Sequence, residues 1–258
     1  MSITNASSSP SAARIWPEAA AAPLRVGGLT PLSATDYPGE LAAVVYCQGC
    51  PWGCCYCHNP HLQPNAAAAH PTWGEVLELL SRRRGLLDAV VFSGGEPTAQ
   101  PGLAAAMSEA RALGYRIGLH SAGIYPRRFA EVLPLVDWVG FDAKAPFDAA
   151  YERITGVRGS AQAALASARA LLASGVDCEF RTTWHAGFLA QDELDRLTRT
   201  LQELGVRRYV LQEFRASGCV GFRSEHAPVA ADVDMLARRF GEFSLRCAGV
   251  QTRSRSAL

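Results

Sequence analysis

Short apolar runs alternate along this chain with longer segments of helical spacing. Leu41 to Tyr46, Leu87 to Phe92, Tyr115 to His120, Trp138 to Phe141, Asp177 to Trp184 and Arg208 to Gln212 read as strands. The first is apolar throughout, as expected of a strand buried on both faces. Between them lie helical segments: Trp73 to Arg83 with Val76, Leu77, Leu79 and Leu80, then Pro101 to Leu113, Pro126 to Leu133, Ala161 to Ala173 and Gln191 to Leu204. Pro101 opens the second and Gly114 closes it, while Gly175 closes the Ala/Leu-rich one. Six βα-like units in a row predict an α/β fold on a parallel sheet. The pattern alone does not separate a partial barrel from a doubly wound sheet. Ahead of the first unit, Leu29 to Ser33 reads as an edge segment and Asp36-Tyr37-Pro38-Gly39 as a turn.

The ends are weaker. Residues 1–24 are rich in Ala, Ser and Pro and lack a basic start followed by an apolar core, so the expectation is a disordered tail and not a signal peptide. Residues 25–215 are expected to form the barrel. Residues 216–258 are expected to be an extension packed on it or trailing from it, with a helix near Ala231 to Phe240 and a loose polar tail.

At 258 residues, 48% hydrophobic and 19% charged, the chain can bury one sizeable core. A net charge of +1 gives no field for nucleic acid or a membrane surface. Arg82-Arg83-Arg84 sits where it suits the end of a helix. No apolar run reaches the roughly 18 residues of a membrane span. Eight cysteines without an export signal suggest a reducing, cytoplasmic setting.

The candidate chemistry lies in Cys47-Gln48-Gly49-Cys50-Pro51-Trp52-Gly53-Cys54-Cys55-Tyr56-Cys57-His58-Asn59-Pro60, which holds five of the eight cysteines. Cys50, Cys54 and Cys57 form C-x3-C-x2-C after the first core strand. Three thiolates from one loop can hold three irons of a [4Fe-4S] cube and leave the fourth iron open. Structural zinc would want a second cysteine pair, and Cys178, Cys219 and Cys247 are single and far apart. A C-x-x-C redox pair also fits the spacing, though His58-Asn59-Pro60 opens a helix poorly. A disulfide cluster suits a chain without an export signal badly.

These residues, with Tyr56 before the third cysteine, resemble the radical S-adenosylmethionine (SAM) superfamily. The continuation Tyr-Cys-His-Asn-Pro is similar to enzymes that install glycyl radicals, above all activating proteins of anaerobic ribonucleoside-triphosphate reductase. The likeness runs from about Arg25 to Phe214. It takes in Gly27-Gly28-Leu29, Asp36-Tyr37-Pro38-Gly39, Ser93-Gly94-Gly95-Glu96-Pro97-Thr98, Asp142-Ala143-Lys144-Ala145-Pro146, Ile154-Thr155-Gly156-Val157, Phe180-Arg181-Thr182-Thr183 and Tyr209-Val210-Leu211-Gln212-Glu213-Phe214.

The resemblance implies a partial (β/α)6 barrel, a [4Fe-4S] cluster on Cys50, Cys54 and Cys57, and SAM as cofactor. One electron from the reduced cluster would cleave SAM to a 5′-deoxyadenosyl radical, which takes a hydrogen atom from a Cα. Gly94, Gly95 and Glu96 would meet the SAM amino group; as a bare sequence this is also an ordinary strand-to-helix turn. Asp142 and Lys144 would bind the methionine part of SAM, Lys144 its carboxylate; alternatively they are a surface ion pair. Tyr56 joins the cofactor-binding set. Strand alternation puts Arg181 and Thr183 on one face; facing a barrel interior, Arg181 would need an anion, and facing a helix it would snorkel to solvent. His120-Ser121-Ala122-Gly123 departs from relatives, which often have Asp-Thr-Asn-Gly, so a contact made there by an acid is in doubt. Cys47, Cys55 and His185 receive no role. The implied partners are a glycyl-radical protein substrate, the anaerobic reductase, and a flavodoxin or ferredoxin electron donor. Activation of another glycyl-radical enzyme, a small-molecule reaction such as deazapurine ring contraction, and a metal-binding interaction module without catalysis are the alternatives.

Overall fold

A computed structural model describes residues 22–65, 70–219, 233–247 and 250–256. Residues 1–21, most of the expected tail, lie outside the described residues, and Leu24 is already buried. Nine strands form one sheet in chain order: β1 (Val26–Ser33), β2 (Ala42–Cys47), β3 (Ala89–Gly94), β4 (Arg116–Ser121), β5 (Trp138–Asp142), β6 (Asp177–Trp184), β7 (Arg208–Glu213), β8 (Glu242–Cys247) and β9 (Val250–Ser256). Strands β2 to β8 run parallel, and β1 and β9 join antiparallel at the two edges.

This order decides between the two architectures the sequence left open. A doubly wound sheet reverses its strand order at a switch point. Here every strand pairs with the next in sequence, so crossovers of one hand put every helix on one side and curl the sheet around the other. The two edges do not pair, and the barrel is partial.

The helices are α1 (Trp73–Arg82), α2 (Leu103–Ala112), α3 (Pro126–Val132), α4 (Ala149–Thr155), α5 (Ser160–Ser174), α6 (Gln191–Glu203) and α7 (Val233–Arg239). A capping box starts α1: Thr72 Oγ1 accepts from Glu75 N, and Glu75 Oε2 accepts from Thr72 N. The α-facing side of the sheet carries Val45, Phe92, Leu119, Phe141, Phe180 and Tyr209 into the main core. The opposite face fills the lumen. At its N-terminal end a separate small core holds Tyr37, Ala42, Val44, Ala89, Val91 and Trp138. Tyr37 enters on the expected turn, whose Glu40 N–H donates to Tyr37 O at 3.1 Å with Gly39 at φ +82°. Its ring stacks on Trp138 at 5.1 Å and closes that mouth.

Two expectations are corrected. The parallel run has seven strands, because β8 follows the six expected ones. Residues 242–247 and 250–256, expected as a loose polar tail, are strands. In β8 the apolar signal is only Phe243 and Leu245 among polar neighbours, and pairing on β7 makes it a strand. Helix α4 went unread because it has seven residues; Asp148 starts it by accepting from Ala150 N at 2.8 Å.

Candidate active site

The cysteine loop leaves β2 at the C-terminal end of the parallel strands, where barrels keep their reactive groups. It has no regular structure, so its backbone donors need partners elsewhere. On one flank Gly49 N donates to Leu62 O at 2.7 Å and Cys50 N to Gln63 O at 3.0 Å. On the other Gly53 N donates to Thr155 O at 2.9 Å and Cys55 N to Ile154 O at 3.1 Å. Gly156, at φ +71°, ends α4 in the left-handed conformation and leaves those two carbonyls free for the loop. This is the work of Ile154-Thr155-Gly156, quoted in the sequence without a role. Buried Gln48 adds a third tie, its Nε2 donating to Pro64 O at 2.6 Å and its carbonyl accepting from Gln100 Nε2.

Cys50, Cys54 and Cys57 stand half-buried on this loop. Cys47 turns into the main core and is fully buried. Cys55 faces outward and lines a cavity of about 420 Å³ with Arg153, Phe188 and Glu193. The five neighbouring cysteines therefore divide into three at the mouth and two directed elsewhere. Among the described residues, no three His, Cys, Asp or Glu side chains converge as a single bound ion requires. A cube puts each thiolate on a different iron and needs no such convergence. Burial, with Glu96 adding to it, pushes the Cys50 thiol up to about 12. Burial also raises Cys54, against the pull of Lys144. Thiols so placed ionise when a metal supplies the counter-charge. The donor set fits an iron–sulfur cluster with three protein ligands.

Gly94 and Gly95 pack against the loop. A Cβ on Gly94 (φ +105°) would meet Cys47 N at 2.5 Å, and one on Gly95 would meet Gly49 O at 2.4 Å. What comes close to these glycines in the protein is the cysteine loop backbone. Gly95 N donates to Cys47 O, and Glu96 N to Gly49 O, both at 2.9 Å. The Glu96 side chain is only 1% exposed. Its Oε1 accepts from Thr98 N, Thr98 Oγ1 and Ser121 Oγ, and its Oε2 from Ala122 N at 3.2 Å. Burial raises its pKa and these donors offset part of the rise.

Asp142 and Lys144 follow β5 into the same mouth. Lys144 Nζ lies 3.7 Å from Asp142 Oδ2 and 5.7 Å from the centroid of the Tyr56 ring. Its side chain is 14% exposed and that of Asp142 40%, so the pair sits at the rim of the mouth, its ammonium turned inward and its carboxylate toward solvent. Burial pulls the Lys144 pKa down, but Tyr56, Cys54, Asp142 and Tyr151 outweigh it and the net shift is upward. Tyr56 in turn stacks on Phe188 at 4.5 Å.

Arg181 faces the lumen and is 6% exposed. Its guanidinium lies over the Trp138 ring and fills the space above Gly140, where a Cβ would come within 1.7 Å of NH2. Its Nε sits 3.5 Å from Asp142 Oδ1 and 3.9 Å from Glu179 Oε1, yet makes no hydrogen bond. Nε is enclosed between those carboxylates, so Arg181 adds positive charge behind the mouth while Lys144 is the donor placed to meet a ligand carboxylate; the residues fit the methionine end of SAM as well.

His120 lies in the lumen too. Its Nε2 faces Asp36 O at 2.8 Å and must donate there, so Nδ1 accepts from Ser93 Oγ at 3.3 Å. Burial and then Arg181 hold its pKa well below the ordinary range, and it stays neutral. Sequence reasoning missed Glu179, although it shares a face with Arg181 two residues on. It missed Arg246 because β8 was unread. His185 is buried within an aromatic group with Phe188 and Phe214.

The family model of the radical SAM superfamily matches residues 44–198. A protein of Methanocaldococcus jannaschii named as a glycyl-radical enzyme activating enzyme is 27% identical over 197 residues, 73% of this chain and 79% of its own. The pyruvate formate-lyase-activating enzyme of Clostridium pasteurianum is 33% identical, over 51% of this chain and 57% of its own. A PqqA peptide cyclase of Gluconobacter oxydans is 33% identical, over 62% and 45%. The chain thus spans about half the length of the last two. Among solved structures, Streptococcus suis SuiB bound to precursor peptide SuiA superposes with a TM-score of 0.60 at 15% identity, covering 76% of this chain and 44% of that one. At that identity the likeness is one of fold. Among the described residues, no helix is long and apolar enough to cross a membrane.

Proposed function

The chain belongs to the radical SAM superfamily, and from that premise we propose that it is an activating enzyme that raises a glycyl radical on anaerobic ribonucleoside-triphosphate reductase. The observation that carries this reading is Lys144, whose ammonium sits between Asp142 and the Tyr56 ring and joins the Asp-x-Lys strand end to the cysteine loop in one site. With cluster and SAM bound, the pair supplies one-electron cleavage of a carbon–sulfur bond and a primary radical able to take hydrogen from a Cα.

The chain's own residues position and shield. Cys50, Cys54 and Cys57 are the cluster ligands. Lys144 offers a charge-assisted donor to the SAM carboxylate, and Arg181, buried behind Asp142, adds positive charge to that end of the site. Glu96 Oε2, with one protein donor, keeps a lone pair for the SAM ammonium, beside the carbonyls of the Gly94-Gly95 turn. Tyr56, stacked on Phe188, walls the site against water. The electron comes from a flavodoxin or ferredoxin. Support for a polypeptide substrate comes from the relatives, two of them named as activating enzymes and the third as a peptide cyclase. Support for the reductase comes from the Tyr-Cys-His-Asn-Pro continuation of the cysteine loop.

The test is anaerobic reconstitution with iron and sulfide, reduction by dithionite, and addition of SAM with the reductase encoded in the same genome. About four irons per chain are expected, with an EPR signal perturbed by SAM, 5′-deoxyadenosine, and a glycyl radical on the reductase. Cys50→Ala, Cys54→Ala or Cys57→Ala should each abolish all but residual iron. SAM cleavage with a radical only on a different glycyl-radical enzyme, or only on a small peptide, would replace the reductase as substrate. Bound zinc with no SAM response would remove the mechanism.

A further inference from the structure

The lumen carries more charge than a SAM site uses. Arg246, Glu179, Arg181, Asp142 and Lys144 form a chain of alternating sign from β8 to the cysteine loop. Arg246 NH2 lies 2.8 Å from Glu179 Oε1 and hydrogen-bonds Oε2 at 3.1 Å. Glu179 Oε1 is 3.9 Å from Arg181 Nε, Arg181 Nε is 3.5 Å from Asp142 Oδ1, and Asp142 Oδ2 is 3.7 Å from Lys144 Nζ. Three cations face two carboxylates, leaving one positive charge over. At the cysteine-loop end, Lys144 lies over the Tyr56 ring and is the group assigned above to the SAM carboxylate. At the other end, among the described residues, Arg246 meets only Glu179.

Arg246 stands one residue from the C-terminal end of β8, in register with Gln212. Phe243 and Leu245 pack on the main core, so alternation directs Arg246 to the lumen. Its side chain is 25% exposed. Only its NH2 is engaged, and among the described residues Nε and NH1 have no partner. Glu179, 5% exposed, holds the guanidinium from below and fixes its direction. A fork held on one edge and open on the other matches a carboxylate in two-point contact.

We infer that Arg246 receives a carboxylate of the polypeptide substrate, an acidic side chain or the chain terminus, and so orients the segment that carries the target residue. This rests on the proposed function in taking the substrate to be a polypeptide. Arg246 is then a specificity-determining residue on the opposite side of the lumen from the Lys144 end.

The probes are three glycine pentapeptides: one with a free C-terminal carboxylate, one amidated, and one amidated with a central Glu. Binding to the reconstituted, SAM-loaded full chain is measured by calorimetry for wild type, Arg246→Gln and Arg246→Lys, with circular dichroism as the folding control. Wild type should bind one of the acidic peptides at least fivefold more tightly than the neutral one, and which of them it prefers identifies the source of the carboxylate. R246Q should bring that ratio to about one, and R246K should keep part of it. If wild type shows no preference, or if R246Q keeps the full ratio, the inference is wrong. Should R246Q fail to fold, R246K decides: a ratio unchanged from wild type counts against the fork and a reduced one for it. A chain that discriminates among the peptides yet leaves no radical on the reductase would overturn the choice of reductase and leave the Arg246 site standing.

Discussion

Gly140 has no side chain because Arg181 lies where one would be. Gly140→Ala places its Cβ against the mobile end of that arginine, so the guanidinium gives way and not the backbone. The expected result is a loss of SAM affinity of tenfold or more by equilibrium titration, with stability down by only about 1 kcal/mol. Gly95→Ala differs because its Cβ meets the Gly49 carbonyl, which cannot move without the cysteine loop. A loss of about 2–3 kcal/mol in urea unfolding and a fall in bound iron are expected there. His120 gives a pH effect. It is held neutral in the fold, with a pKa below that of the unfolded chain, about 6.5. The unfolded state therefore binds more protons below that pH, and stability present above it is lost as pH falls. Between pH 7.5 and 5.5, wild type should lose about 1 kcal/mol more than His120→Gln, and equal slopes would refute the assignment. The sequence marked His120 as a departure but could not give its task, because its partners Asp36 and Ser93 come from other strands or turns.

At the scale of elements, the cysteine loop is held by structures that are unremarkable in sequence. Helix α4 is two turns long, and its value lies in its last two carbonyls. Asp148→Ala removes its N-cap and should cost about 1 kcal/mol. Because a frayed α4 loosens Gly53 and Cys55, D148A should also release iron to a chelator faster than wild type; equal release would show that the other flank suffices. The cysteine spacing and the strand ends leading to Glu96 and Asp142 were legible, since a run of apolar residues precedes each one, and Arg181 was legible as one face of a strand. The α4 clamp was not, because backbone carbonyls leave no mark on residue type. Glycine gave a partial signal: Gly94 and Gly95 were read as room for a ligand, and the room the structure shows is taken by the chain itself.

The whole molecule is a sheet that grows by one neighbour at a time. The strand order was beyond the sequence pattern, which counts units without saying whether they reverse. The last parallel strand was hidden because β8 is half polar. It is nonetheless part of the core's cover: Tyr209 stacks on Phe240 at 4.6 Å and on Phe243 at 6.2 Å. Removing residues 233–258 would uncover Tyr209 and delete buried Leu236, Phe240 and Phe243. At about 1.5–3 kcal/mol each, that is roughly 5 kcal/mol or more, or a melting temperature lower by about 10 °C or more for a chain of this size. A truncated chain that melts with the full one would show the extension to be dispensable.

The order of neighbours also sets a timetable at the ribosome. The cysteines emerge with β2, before the turn at Leu62 and long before Ile154 and Thr155. Until about a hundred further residues have been made, three thiols hang on a loop with one flank unfastened. Iron delivered during synthesis would meet ligands not yet gathered, and an oxidant would meet five thiols at close quarters. Assembly of a cluster on these thiols therefore belongs after α4 has docked.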